Sequence, residues 1–329
     1  MKEQTAEHWN IDVGDVRTIQ DNVFFLKSSG GGYILKRSEL SEEKLRFVCE
    51  AERLLTETGF SRFALPVPTA QNEPFARWDG GRYTLHRYID GIACDFDVAE
   101  HLAAAADTLA DLHTRAKLRP LAGSGSRGGA HCRKNRFESK TAELKRFSEH
   151  AAANTKTEFT EVFLRHAPAM IRRAERAEQA LRRCGYGRLA EEAARNGRLI
   201  HYDVAARNFL IRNGEACLID FDYCRVDLPE ADLARLLRRA LKNGKKPEEK
   251  LTRACEAYQH ARPLSKAEKK ALLALILFPQ KFWRCSHRFF RGENADPKAL
   301  LKTLHEAVAE TERENQWLGE LREILEVSD

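Results

Sequence analysis

The stretch LIHYDVAARNFLIRNGEACLIDFD, residues 199–222 of a 329-residue chain, decides the reading of the fold. Phe209-Leu-Ile211 and Ala216-Cys-Leu-Ile219 are short apolar runs separated by Arg212-Asn-Gly-Glu215. Asn-Gly supplies two residues that tolerate positive φ, the strongest two-residue hairpin signal. A turn centred on Asn213-Gly214 pairs 212 with 215, 211 with 216, and so on to 208 opposite 219. Directly opposite residues lie about 5 Å apart. Asp203, Asn208 and Asp220 are therefore predicted to converge at one end of a hairpin. One amide and one carboxylate, Asn208 and Asp220, suit a magnesium ion shared with phosphates. Asp203 is free to orient or deprotonate a hydroxyl.

Outward from the hairpin, the chain changes character twice. The first 90 residues offer β-prone runs at Val23–Leu26, Tyr33–Leu35 and Tyr83–Leu85, the first two separated by Ser28-Ser-Gly-Gly-Gly32. Between them, residues 42 to 58 keep helical spacing through Leu45, Val48, Cys49, Leu54 and Leu55, and Gly59 is the expected stop. From about residue 96 the pattern is helical: 96–117, 137–150 and 158–196, with a Pro/Gly/Ser-rich loop at 118–129. The hairpin interrupts this helical part, and helices resume after it, with breaks near Pro247, Pro263, Pro279 and Pro297.

His201-Tyr-Asp203 with Asn208 resembles the catalytic loop of the protein-kinase-like superfamily, and Asp220-Phe-Asp222 resembles its metal-binding motif. Asp222 in place of glycine is similar to the small-molecule branch, typified by aminoglycoside and choline phosphotransferases. Tyr33-Ile-Leu-Lys-Arg37, Thr58-Gly-Phe60, Asp232-Leu-Ala-Arg235 and Phe278-Pro-Gln-Lys-Phe-Trp283 extend the likeness to the CotS-type spore-coat kinase-like family. The resemblance implies an α+β, bilobal protein-kinase-like fold: a small antiparallel β-sheet N-lobe over residues 1–90 that binds nucleotide, and a large, mostly helical C-lobe over 91–329. It implies ATP and Mg2+ as cofactors and a small-molecule hydroxyl as phosphoryl acceptor. It assigns Asp203 to catalysis, Asn208 and Asp220 to the metal, with Asp222 as a second acidic contact. Lys36 becomes the strand lysine on the α/β-phosphates. Arg37 follows it directly and points to the opposite face of a strand.

A helix glutamate holds that lysine in resembling proteins. Glu50 and Glu52 both qualify; they lie two apart and cannot share a helix face. Glu50, one turn before Leu54, matches the family spacing. The lobe connection falls at Leu85–Gly91, so backbone near His86, Arg87 and Tyr88 is implied to meet adenine. His201 and Asp232 are implied to be structural, Asp232 by accepting hydrogen bonds from the catalytic-loop backbone. Arg207 is implied to meet either a phosphate or an acid, and Lys281 and Arg284 stand as weaker candidates for the substrate cleft. In place of a GxGxxG loop the chain has Thr18-Ile-Gln-Asp-Asn22, without glycine, which argues against a conventional Ser/Thr protein kinase.

Composition limits the alternatives. Hydrophobic residues at 43% and charged residues at 32% exclude a disordered or collagen-like chain. No 18-residue apolar run suggests a membrane span, and the polar, acidic N-terminus does not look like a secretory signal. Eight cysteines without a CxxC pair read as core residues of a reducing, cytoplasmic setting. A net charge of +6 is too small to argue for nucleic acid, although residues 131–146 are locally basic. Arg133, Lys134, Arg136, Arg172, Arg173 and Arg176 suggest an anionic acceptor. The family likeness also carries a rival expectation: a non-catalytic structural or adaptor protein among spore-coat partners, on a kinase-like scaffold, since a shared fold does not fix function.

Overall fold

A computed structural model describes residues 1–119, 136–154, 157–293 and 296–327. The N-terminal part is a sheet carrying one helix against each face. After a short helix α1 (Lys2–Trp9) come β1 (Val16–Gln20), β2 (Val23–Ser28) and β3 (Gly31–Ser38), then α2 (Glu42–Glu57), β4 (Pro66–Val67), β5 (Ala76–Trp78) and β6 (Gly81–Arg87). The strands are antiparallel in the order β1-β2-β3-β6-β4, and β5 pairs with the start of β6. Alternation sorts the side chains. Leu35 pairs with Leu85 on the face that packs Trp9, Leu26 and Tyr33, while Ile34 pairs with His86 and Lys36 with Thr84 on the other. The turn between β1 and β2 uses Asn22 at φ 63°, a residue that tolerates the left-handed region nearly as well as glycine.

β7 (Ile92–Ala93) leads to the helical part: α3 (Ala99–Arg115), α4 (Arg136–Ala153), α5 (Glu158–Arg183) and α6 (Tyr186–Arg195). The single helix expected over 158–196 is two, because Gly185 at φ 74° ends one and starts the next. From residue 120 on, the loop expected at 118–129 lies outside the described residues, as does most of the basic stretch at 131–136. β8 (Leu199–Ile200), the hairpin β9 (Phe209–Arg212)/β10 (Glu215–Leu218) and β11 (Arg225–Val226) follow. Five helices complete the chain: α7 (Glu230–Ala240), α8 (Pro247–Ala261), α9 (Lys266–Leu277), α10 (Gln280–Phe290) and α11 (Pro297–Ile324).

The hairpin has the register read from its turn, 212 opposite 215 through 209 opposite 218, and the Ile219 amide donates to the Asn208 carbonyl at 3.0 Å. It lies on α3, whose Thr108 hydroxyl reaches the Ala216 carbonyl at 2.8 Å. The largest apolar core runs from Leu54 and Leu55 of α2 through α3 and the hairpin to Tyr258 of α8. That continuous packing fixes the cleft between sheet and helices. Among the described residues no helix is long and apolar enough to cross a membrane.

Candidate active site

A cavity of about 590 Å³ lies between the sheet and the hairpin. Its roof is the inner face of β3 and β6, where Ile34, Lys36, Thr84 and His86 stand side by side. Leu45, Val48, Cys49 and Glu52, at helical spacing on α2, close the back. Asn208, Ile219, Asp220 and Asp222 form the floor. The segment after β6 contributes His86, Arg87, Tyr88 and Ile89 to the wall. The amides of Arg87 and Tyr88 already donate to the carbonyls of Leu65 and Gly32, at 2.8 and 3.0 Å. They are therefore not available to an incoming base. The Ile89 amide has no hydrogen-bond partner among the described residues, and sequence reasoning missed it.

Lys36 reaches across the cavity. Its Nζ is 2.7 Å from Asp220 Oδ1 and 2.8 Å from Asp222 Oδ2. Burial alone would lower the lysine's pKa, but the two carboxylates outweigh it and hold the ammonium charged. Asp222 is driven the other way: burial raises it, and the charges of Asp220 and Glu52 add to that against the pull of Lys36. Glu50, favoured from the sequence as the partner of Lys36, lies elsewhere. It is on the outer side of α2, bound to Arg53 at 2.8 Å. Glu52 faces inward at 4% exposure, 3.2 Å from His86 Nε2. The reason is helical period: Glu52 follows Val48 by four and Leu45 by seven, so it inherits the buried face. The Glu-x-x-x-Leu spacing does not report that face.

The loop after β8 is held from below. Asp232 of α7, fully buried, accepts from the His201 amide at 2.8 Å and the Tyr202 amide at 2.9 Å. Its third partner is His113 Nε2 at 3.3 Å. These bonds keep Tyr202 at φ 72°, a costly conformation for a bulky side chain. His201 is buried, with Nε2 donating to the Ile219 carbonyl at 3.0 Å and its ring edge-on to Phe221, so it ties loop to hairpin and does not face the cavity. Asn208 Nδ2 donates to the Asp203 carbonyl at 2.7 Å and to Asp203 Oδ2 at 2.9 Å. Its Oδ1 receives no hydrogen bond from a described residue.

Asp203 lines neither this cavity nor a second one of about 490 Å³, but its carboxylate bonds a residue of each: Asn208 of the first, and Arg239 of α7, which lines the second together with Tyr202. Arg239 bonds Asp203 Oδ1 at 2.8 Å, and Arg207 bonds Oδ2 at 2.9 Å. Burial would raise the Asp203 carboxyl, but Arg239, Asn208 and Arg207 hold it below the usual carboxylate range. Arg239 was not singled out from the sequence. Arg235, Arg238, Arg239 and Lys242 recur at i, i+3, i+4 and i+7, a one-faced cationic stripe that would have flagged it. Lys281 and Arg284 line the same second cavity. Arg172 and Arg176 do not. They lie in a separate surface depression with Glu138, Glu175 and Glu178, while Arg173 is buried against Glu314 at 2.8 Å.

Solved structures share this architecture. An aminoglycoside phosphotransferase from Alicyclobacillus acidocaldarius subsp. acidocaldarius superposes with a TM-score of 0.83 over 99% of this chain and 96% of its own, at 24% identity. A spectinomycin phosphotransferase in complex with ADP and spectinomycin gives 0.60 over 96% and 97%, at 14% identity. An amicoumacin kinase in complex with AMP-PNP and Ca2+ gives 0.58 over 95% and 92%, at 15% identity. These likenesses show the fold, the α+β protein-kinase-like one. In sequence, spore coat protein S of Bacillus subtilis (strain 168) is 23% identical over 273 residues, 82% of this chain and 77% of that protein. The model of the phosphotransferase enzyme family matches residues 16–264. That match spans well over half of the chain, from β1 to the end of α8, and the protein belongs to the phosphotransferase enzyme family.

Proposed function

We propose that the protein transfers the γ-phosphoryl group of ATP, bound with magnesium in the 590 Å³ cavity, to a hydroxyl of a small molecule in the 490 Å³ cavity. The observation that carries this reading is the position of Asp203, bonded to Asn208 on the nucleotide side and to Arg239 on the other. A base there meets an acceptor hydroxyl on one side and a transferring phosphoryl group on the other. The acceptor oxygen bonds to phosphorus as the β,γ-bridging bond breaks. The hydroxyl proton passes to Asp203, and ADP leaves.

The oxygen donors fit magnesium. No group of three or more His, Cys, Asp or Glu side chains among the described residues gathers closely enough to hold a metal alone. Magnesium needs fewer protein ligands when phosphates supply the rest. Asp220 and Asp222 already converge on one cation, the Lys36 ammonium, and the Asn208 Oδ1 has no donor among the described residues. When bound, the ion would neutralise phosphate charge. The residues of this chain do the placing: Asp220, Asp222 and Asn208 as ligands, Lys36 on the phosphates, and the backbone after β6, including the Ile89 amide, beside adenine. Positioning and charge neutralisation are what such a transfer demands.

Likeness to spore coat protein S favours the rival reading of a non-catalytic coat component. Against it stands the complete set of polar site residues, Lys36, Asp203, Asn208 and Asp220, which a decayed site has no reason to keep aligned. Thermal unfolding with ATP plus magnesium, against ATP alone and against Asp220→Ala, separates the two. A magnesium-dependent rise in Tm that the variant loses supports phosphotransfer. No rise at millimolar nucleotide sinks it.

A further inference from the structure

The second cavity is cationic in a way that its own carboxylates do not balance. Among the described residues, seven lysine or arginine side chains line it against four acids. The acids are committed, Asp227 to the Leu228 amide at 2.7 Å. Glu314 pairs with Arg238 and with Arg173 from outside the cavity, both at 2.8 Å. Glu306 and Glu310 both hold Lys281, at 3.2 and 3.0 Å. Arg239 is on Asp203. Arg235, Lys242 and Arg284 are left with no carboxylate partner among the described residues.

Arg235 is the most telling of these. Its guanidinium lies 3.6 Å from the centre of the Tyr202 ring, stacked on the loop that carries Asp203. Stacking fixes the plane of a guanidinium and leaves its N–H edge for a planar or tetrahedral oxyanion. Burial pulls its pKa down, more than nearby Tyr202 and Asp232 restore, as expected for a charge short of a counter-ion. Phe137, Tyr186 and Phe278 complete the wall with apolar surface against which a sugar-sized body can lie.

We propose that this cavity takes an anionic acceptor, a hydroxyl compound bearing a phosphate or carboxylate group, held by Arg235, Lys242 and Arg284. The inference rests on the reading of Asp203 as the residue that meets the acceptor hydroxyl. A polyamine-like acceptor is disfavoured by like-charge repulsion from the unpaired cations. The arriving anion also competes with Asp203 for Arg239, so that binding the correct acceptor frees the carboxylate oxygen its hydroxyl needs.

The test is thermal unfolding at constant ionic strength with inorganic phosphate, and separately sodium gluconate, against glucose and choline chloride. At ten times half-saturation an anion that binds the folded protein raises Tm by about 2 °C. The rise is expected for at least one anion, for neither glucose nor choline, and with Lys36→Gln unchanged. It is expected to vanish in the Arg235→Gln/Arg284→Gln pair. If that pair is too unstable to read, Lys242→Gln, at an exposed position, is expected to weaken half-saturation about threefold. A phosphate response separates from a gluconate response the two anion chemistries. A rise that survives the double variant, that disappears with Lys36→Gln, or that no anion produces overturns the proposal. The ATP–magnesium response is read in the same samples. If it fails while the anion response stands, the phosphotransfer reading falls and the anion site remains.

Discussion

Arg239 donates to Asp203 Oδ1 at 2.8 Å, from a helix 36 residues further along the chain. The carboxylate proposed to take the acceptor's proton therefore carries its counter-charge before any substrate arrives. Removing that charge raises the pKa of Asp203 from its depressed position. Arg239→Met is expected to move the acidic limb of the kcat/KM profile, which reports the free enzyme, to higher pH, because Asp203 must be deprotonated to act. Initial rates from pH 4 to 9 check the direction, and an unmoved limb contradicts the coupling.

Asp203→Asn keeps an oxygen where Asn208 Nδ2 donates, so the loop is expected to hold its shape. The base is gone, and turnover is expected to fall by about 10²–10⁴-fold while ATP–magnesium still raises Tm. ADP release and thermal shift on one preparation separate the two effects. Unchanged turnover refutes the role.

Glu50 and Glu52 give a direct contrast. Glu52→Ala removes a 4%-exposed carboxylate bound to His86 in the cavity wall, and KM for ATP is expected to rise about tenfold. Glu50→Ala breaks an exposed pair with Arg53, and KM is expected to stay within twofold. Equal effects from both would mean that the face of α2 is assigned wrongly.

Asp232→Ala strips acceptors from the amides of His201 and Tyr202 and from His113, all inside the core. Breaking such a buried network costs about 3–5 kcal/mol. The loop also loses what keeps Tyr202 in its left-handed conformation, so activity is expected to fall even at temperatures where the variant stays folded. Urea unfolding gives the first quantity and ADP release the second.

Glu230 is fully buried, and burial pushes its carboxyl up to about 7 although Arg262 lies 3.2 Å away. Between the ordinary glutamate value and 7 the folded state retains a proton that the unfolded chain has released. Stability thus falls as pH rises through that window, by about 3 kcal/mol in total. Glu230→Gln is expected to flatten this slope, leaving Arg262 paired with Glu268. Unfolding free energies at pH 4.5, 6 and 8 measure it, and a slope as steep as the parent's assigns the pH dependence to another group.

Much of this was legible in the sequence because local chemistry and global structure agree. Asn213-Gly214 dictates its own turn, and the turn dictates the register that gathers Asn208 and Asp220. Strand alternation separates Lys36, in the cavity, from Arg37, exposed on the far side. What failed did so where a motif spacing was preferred to a face: Glu50 was chosen over Glu52 although the apolar positions of α2 already pointed to the latter. Arg239 was passed over because a cationic stripe on a helix reads as solvated surface until something is known to lie opposite it. The helix α1 was missed because eight mostly polar residues carry little periodicity. It is docked through Trp9, whose indole reaches the Val67 carbonyl at 2.9 Å.

The hairpin register also works as a measuring rule. Asp220 sits two residues beyond the last rung of β10, so its place is counted outward from Asn213-Gly214. A single inserted or deleted residue within β9 or β10 shifts every side chain beyond it to the opposite face. Such a change would turn Asn208 or Asp220 away from the cleft and Phe209 or Leu218 out of the core. The turn itself can take added residues, because they leave the count from rung to acid unchanged.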